Sequence, residues 1–402
     1  MPGLPGADPG IIFVRWNSIP TVRNILLHYC LADGIFNHDI TSQSIGSFMR
    51  KENTLIIRAA LALAILSHMG PTAGWADTSP AGLIKGRVRD SVSGEALPHC
   101  NVFLANTTIG GITNLAGDFL IPNIPPGRYQ LVANRVGYHA FIQELEMPAD
   151  SDRNLSILLQ QKPVEIGQVT VEATIPRVWR SQLAQFKEAF IGETPNAKKC
   201  SIENPEILRF ESNALNTQLN AFCDSTLVIT NRALGYRLHV VLESFQWGGP
   251  EGFYKIFPRF ERLEPADEKE GARWEETRRQ TWLGSFRHFI TALAHGEAEM
   301  EGFELYLQEP AQLREVYHDR TLPASIVEFV PGLGSKMHFN GLLEVRYHGV
   351  PNSMFKLNQN FVMIEEGGTI YPPLSVVLYG YWAQQRVADT LPLDYRLEPA
   401  QQ

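Results

Sequence analysis

The chain is predicted to be mainly β: a seven-stranded β-sandwich followed by an α+β domain of antiparallel strands with two amphipathic helices. Three observations carry this. From Leu83 to Leu159 apolar residues alternate with polar ones in short runs, each closed by Gly, Pro, Asn or Asp. After Pro176 the period changes to that of a helix, and strands then return. The composition, 44% hydrophobic and 19% charged over 402 residues, is that of a chain able to bury cores in two or three domains.

Taking the elements in order, Ile84, Gly86 and Val88 alternate with Lys85, Arg87 and Arg89, the pattern of a half-buried strand. Asp90-Ser91-Val92-Ser93-Gly94 is turn chemistry, with Gly94 free to take positive φ. Val102 and Leu104 form a second strand, Gly110-Gly111 and Ala116-Gly117-Asp118 mark turns, and Phe119 and Ile121 face one way in the next strand. Pro125-Pro126-Gly127 turns the chain into the alternation of Tyr129, Leu131 and Ala133. Val136-Gly137-Tyr138 opens another strand, and Leu155, Ile157 and Leu159 supply the last. Short strands with turns every eight to twelve residues or so read as a sandwich spanning residues 82–172.

Within that span, Gly86, Val88, Asp90, Gly94, Leu97, Pro98, Asn101, Val102, Thr108, Gly111, Thr113, Gly117, Phe119, Pro126, Gly127, Tyr129, Val136, Gly137 and Tyr138 fall where the carboxypeptidase regulatory-like domain places its motif residues. The segment resembles that family, an Ig-like, prealbumin-like sandwich. His99-Cys100 and Asn114 are its departures from the usual pattern, at a strand edge and a turn. The resemblance implies a non-catalytic module, of the kind found at the N-terminus of exported envelope proteins including TonB-dependent receptors. Its wider superfamily resembles starch-binding domains. The family name refers to a domain attached to metallocarboxypeptidases and implies no peptidase activity.

Before the sandwich lies a targeting signal. Met49-Arg50-Lys51 precedes an apolar stretch, Leu55 to Leu66, interrupted only by Arg58 and followed by small residues up to Ala76. This reads as a signal peptide over residues 49–76, cut after Ala76. The apolar run is shorter than the roughly 20 residues a bilayer span needs, so the mature chain is expected to have no transmembrane span. Residues 1–48 match no targeting pattern and read as a leader produced by a misplaced start, with Met49 the true one; the alternative is a long leader before an uncleaved anchor.

The second domain, residues 177–395, opens with a helix from Pro176 to Gly192 whose stripe is Trp179, Leu183, Phe186 and Phe190. Thr174 is placed to cap its start and Gly192 to end it. Strands follow at Leu227 and Ile229 and at Tyr236, Leu238, Val240 and Leu242, with His239 and Glu243 on the opposite face. One long helix is expected from Asp267 to His295, with Trp274, Trp282, Phe286, Phe289, Ile290 and Leu293 inward. Its Arg273, Arg278, Arg279 and Arg287 suit either an anion or, with Glu275 beside Arg278 and Arg279, an ion-paired surface. Strands from Phe303 to Leu307, Phe339 to Tyr347 and Phe361 to Ile364, a Glu366-Gly367-Gly368 hairpin turn and a short helix from Tyr381 to Leu391 complete the chain. Most of residues 177–395 resembles the C-terminal region of exported bacterial proteins known only for carrying the regulatory-like domain, a resemblance that implies architecture and export and no activity.

Candidate chemistry is sparse. A net charge of −8 and the lack of a long basic run argue against a nucleic-acid partner. No Cys-x-x-Cys, His-Glu-x-x-His, His-x-x-Glu, Gly-x-Ser-x-Gly or phosphate loop occurs. No catalytic residue, metal ligand or cofactor is therefore expected, and His288 on the long helix reads as structural. Cys200 and Cys223 can pair in an oxidising compartment, or both can stay free with Cys100. The stretch after the sandwich is too short for a barrel of about 22 strands. The expectation is an exported, non-catalytic envelope protein, periplasmic or outer-membrane-associated, that binds an envelope protein or polysaccharide and has no carboxypeptidase activity. The alternative is an envelope hydrolase with its active site in the second domain, which a buried cluster of His, Asp or Glu in a deep pocket would mark.

Overall fold

The computed structural model describes residues 81–163, 177–213, 217–248, 252–308, 320–330, 334–365, 367–372 and 375–397. The signal peptide, the Ala76 cut, the reading of residues 1–48, the domain boundary near Pro163 to Pro176, Thr174 and Glu366 therefore lie wholly or partly outside the described residues. Those residues all fall in one compact unit.

The predicted sandwich is present. β1 (Gly82–Asp90) is the centre of a three-stranded sheet, antiparallel to β4 (Asp118–Ile124) and parallel to β7 (Asp152–Leu159). The facing sheet has the order β3–β2–β5–β6, built from β2 (Asn101–Leu104), β3 (Gly110–Ile112), β5 (Gly127–Asn134) and β6 (Phe141–Met147). Ile84, Val88, Ile121, Leu131, Ala133 and Ile157 fill the space between them. A fully buried Ile or Leu contributes about 1.5–3 kcal/mol. Gly86 is forced: a Cβ there would stand 2.1 Å from the Leu155 carbonyl oxygen.

Asp90 ties the sandwich together at one end. Its carboxylate accepts from the Val92 and Ser93 N–H groups at 2.8 Å, from Tyr138 Oη at 3.0 Å and from Gln161 Nε2 at 3.1 Å. Val136-Gly137-Tyr138 is correspondingly a tight turn, with Gly137 at φ +84 and Tyr138 N–H on the Arg135 carbonyl. This corrects the expectation of a strand there; β6 starts at Phe141.

α1 (Arg177–Phe190) lies on a six-stranded sheet and buries Phe186, Ala189 and Phe190. The spine of this sheet is β12 (Tyr236–Gly248), 13 residues long. β13 (Phe253–Arg262) follows its whole first edge. β11 (Leu227–Asn231) and β10 (Gln218–Cys223) share the other edge and are flanked by β8 (Cys200–Ile202) and β9 (Leu208–Ser212). Tyr236, Leu238, Val240 and Leu242 face the core, as their alternation predicts.

The single long helix is two. α2 (Glu268–Trp282) is capped by Asp267, whose side chain accepts from the Glu270 N–H, and α3 (Phe286–Ala294) is capped by Ser285, whose side chain accepts from the His288 N–H. Between them Gly284 sits at φ +72, with its Cα so close to Tyr347 that a Cβ would approach the ring to 2.7 Å. A positive-φ residue followed by an N-cap ends one helix and starts the next. The described residues thus hold three helices where two were expected. The short helix of Tyr381 to Leu391 is likewise two 3-10 turns, Trp382–Gln384 and Val387–Asp389.

Residues 177–395 contain two large cores. One lies under α1, and Val387 to Tyr395 return to close it. The other packs Phe289, Ile290 and Leu293 of α3 against Phe303, Leu343 and Phe355. The second core is formed with two sheets. One has the order β15 (Arg320–Thr321), β14 (Phe303–Gln308), β18 (Leu342–Tyr347), β19 (Val350–Leu357), β22 (Val376–Gly380). The other runs β16 (Val327–Val330), β17 (Gly334–Met337), β20 (Val362–Ile364), β21 (Ile370–Tyr371).

Candidate binding cleft

The sandwich does not hang free of the six-stranded sheet. Phe103, Ala105 and Val132 leave its β2–β5 face and form a small core of their own with Phe257, joined by Ile142 and Val241. The β2–β3 loop adds backbone bonds: Asn106 N–H to the Pro258 carbonyl at 2.7 Å, Phe260 N–H to the Thr107 carbonyl at 2.8 Å and Leu393 N–H to the Asn106 carbonyl at 2.6 Å. Thr108 hydrogen-bonds Asp394 through both its N–H and its hydroxyl.

Beside this junction the two parts diverge around a cleft of about 1230 Å³. One wall is the Val136-Gly137-Tyr138 turn, fixed from behind by Asp90. The other is the end of β10, Phe222 and Cys223, with the turn of residues 224–226 that leads into β11. Asn134 Nδ2 donates to Thr226 Oγ1 at 2.8 Å, and Lys162 Nζ donates to the Asp224 carbonyl at 3.2 Å, so both walls are tied at the base. Arg209 pairs with Asp224 at 3.0 Å. The rims are apolar: Val136 is 75% exposed and Phe222 40% exposed. Arg135 lies over the Tyr138 ring at 5.7 Å. This arrangement offers rigid apolar rims around a few polar groups, which suits holding a partner.

The cysteines of the sequence reading are apart. Cys200 stands opposite Asn231, itself opposite Tyr236, whereas Cys223 receives a bond beside Leu242, about 20 Å further along β12 at the usual rise per residue. All three described cysteines are free, so the pairing of Cys200 with Cys223 gives way to the alternative of free thiols. Burial pushes the Cys200 thiol up to about 12 and the Cys223 thiol, in the cleft wall, up to about 11; both are poor nucleophiles.

The arginines of α2 and α3 form no open anion site. Arg273, Arg278 and Arg279 pair with Glu270, Glu275 and Glu276, the last instead of the expected Glu275. Arg287 points inward and donates to the carbonyls of Gly367, Pro392 and Leu393, fastening the C-terminal segment.

His288 is enclosed by Trp282, Phe303 and Tyr347, accepts from the Gly284 N–H at 3.0 Å and has Glu301 3.4 Å from Nε2. Burial lowers its pKa, which fits a packed neutral imidazole. His239 bonds Glu261 at 2.7 Å on the sheet face, while Glu243 pairs with Lys255. Among the described residues no three His, Cys, Asp or Glu side chains gather as metal ligands. The cleft itself has no counterpart in the sequence reading, because its walls lie some 90 residues apart in the chain.

Residues 84–171 fit the family model of the CarboxypepD_reg-like domain. The sandwich is thus similar to carboxypeptidase regulatory-like domains and takes the label regulatory-like domain. No curated protein matches the chain.

Solved structures with a partial likeness include a type II cohesin–X-dockerin complex of Acetivibrio cellulolyticus with an N-terminal interface mutation. Its identity is 19% and its TM-score 0.18, over 20% of this chain and 58% of that one. The group B streptococcus pilus 2b backbone protein is 16% identical at TM-score 0.18, over 21% and 42%. A carbohydrate-binding protein described as putative, from Bacteroides uniformis, is 11% identical at TM-score 0.17, over 46% and 80%. The chain thus spans 58% and 42% of the first two, and likenesses at these TM-scores carry no functional meaning. No helix of the described residues is long and apolar enough to cross a membrane.

Proposed function

We propose that the chain is an exported, non-catalytic envelope protein that holds a protein or glycan partner in the cleft between the regulatory-like domain and the six-stranded sheet. The observation that carries the reading is the pair of exposed apolar rims, Val136 and Phe222, mounted on walls that are each hydrogen-bonded in place. Preorganised rims of this kind lose little freedom on binding. Export rests on the signal-like segment ending at Ala76 and on the company that regulatory-like domains keep.

The hydrolase alternative would have to use the His139, Ser225, Asp224 and Glu243 side chains that line the cleft; Asp224 and Glu243 are each ion-paired, with Arg209 and Lys255, and the Cys223 thiol is pushed up by burial, which favours the binding reading. The His239–Glu261 pair lies outside the cleft, and His288 is wrapped in aromatic rings.

The test is a glycan array together with cross-linking in intact envelopes, using the full chain and a Val136→Asp/Phe222→Asp variant. A partner bound by the wild type and weakened at least about ten-fold by the variant is expected, the loss of roughly 1.4 kcal/mol or more that a disrupted apolar anchor brings. Undiminished binding by the variant, or zinc-dependent release of C-terminal residues from peptides, would overturn the proposal.

A further inference from the structure

The regulatory-like domain has a second face, opposite the docked one. On β1 the side chains of Lys85, Arg87 and Arg89 point to solvent while Ile84 and Val88 point inward. Strand geometry spaces such neighbours by about 6.8 Å, so the three cations form a straight row. The row is flanked in register by Leu120 and Asp118 of β4 and by Asn154, Ser156 and Leu158 of β7. A shallow groove of about 520 Å³ follows it.

Asp118 engages Arg87 through Nε at 2.5 Å and orients its guanidinium. Among the described residues no acid lies within salt-bridge distance of Lys85 or Arg89, and Asp118 also attracts Arg89 through space.

We propose that this face docks an acidic polysaccharide along β1, with Lys85, Arg87 and Arg89 meeting its carboxylates and Asn154 and Ser156 its hydroxyls. Charge complementarity names the partner. A row of cations on a chain of net charge −8 is a local positive strip, and it matches a ligand that carries carboxylates along an extended chain. No aromatic side chain stands on this face, Phe119 being turned into the core. It therefore lacks the stacking platform that neutral sugars and single-stranded nucleic acids use. The proposal does not depend on the cleft, which lies on the other side of the domain's turns.

The full chain is titrated with polygalacturonate and with alginate by affinity electrophoresis, at low salt and at about 0.5 M salt, where exposed charges are screened within a few Å. Amylose, phosphatidylglycerol vesicles and an oligodeoxythymidylate serve as comparisons. Binding of at least one acidic glycan, lost at high salt and weakened at least about ten-fold in a Lys85→Gln/Arg89→Gln variant of unchanged melting temperature, is expected. The Val136→Asp/Phe222→Asp variant should keep this binding, so that failure of the cleft and failure of this face are read separately. Three results would overturn the proposal: neither acidic glycan bound at low salt, equal binding by the glutamine variant, or equal or tighter binding of the vesicles or the oligonucleotide.

Discussion

The two sheets of the regulatory-like domain differ in how their outer faces end. On β1 the outward residues are Lys85, Arg87 and Arg89, all exposed. On β2 and β5 the outward Phe103 and Val132 are 2% and 0% exposed, because Phe257 of the neighbouring sheet covers them. A strand covered on one side alternates, and a strand covered on both reads as a continuous apolar run. The run Val102-Phe103-Leu104-Ala105 is such a strand, as is Leu131-Val132-Ala133. The lesson is that this domain is one layer of a larger packed unit, with one face committed to the chain itself and the other bare among the described residues.

The docked face should be the more costly to damage. Phe103→Ala in the full chain is expected to lose about 3–5 kcal/mol, the range for removing a buried Phe ring, measured by urea denaturation. Phe103→Asp should go further and give two separate thermal transitions, as the domain undocks. The excised fragment 81–163 should still melt cooperatively, since Ile84, Val88 and Leu131 lie in its own core, and should bind an apolar dye through the uncovered Phe103, Val132 and Ile142. An unfolded fragment would show that the two layers fold only together.

Acid acts at an intermediate scale, through the end of the domain where Asp90 sits. The N–H groups of Ser93 and Val92 hold its carboxyl at about 2, below the ordinary 3.8. A depressed pKa in the folded state stabilises the fold above the unfolded value and ceases to do so as pH falls through the folded one. The contribution of Asp90 is therefore present at pH 5 and is lost between about pH 4 and pH 2. Asp90→Asn should lower the melting temperature at pH 6 and flatten its fall across that window. An unchanged acid limb in the variant would place the acid sensitivity elsewhere.

Much of this architecture was legible beforehand, and the failures have physical causes. The turns at Asp90, Gly117 and Gly127 and the inward sets of β1, β11 and β12 follow from period and turn chemistry alone. The joint at Gly284 was missed because Phe286, Phe289 and Leu293 continue the stripe of Trp274 and Trp282 almost in phase. Gly284-Ser285 followed by His288 is a stop-and-cap signal, visible once the apolar period is set aside. The regulatory-like motif residues predicted the sandwich, while Val136 and Tyr138 of that same motif turned out to shape a cleft wall. The docking core depends on contacts of β2 and β5 with Phe257 of β13, separated by more than 100 residues, which no local pattern encodes. The thiols stayed apart because strand register, and not spacing, sets Cys200 of β8 and Cys223 of β10 beside distant stretches of β12.

The smallest effects are expected on the outer face, and they test whether it is open at all. Leu120 and Leu158, at either side of the cation row, are 57% and 56% exposed. Thr suits a strand as well as Leu does and differs here in losing an apolar side chain that water already reaches. Leu120→Thr and Leu158→Thr should each change the stability of the full chain by no more than about 0.5 kcal/mol, the usual range for surface positions. Burial under another part of the molecule would instead bring the cost of removing a packed Leu, about 2 kcal/mol or more. Equal, small losses at both positions in urea denaturation would leave the cation row between them free for a partner. A loss near 2 kcal/mol at either would mean that this face, like the Phe103 face, is already covered by the chain, and the contrast between the two sheets would fall.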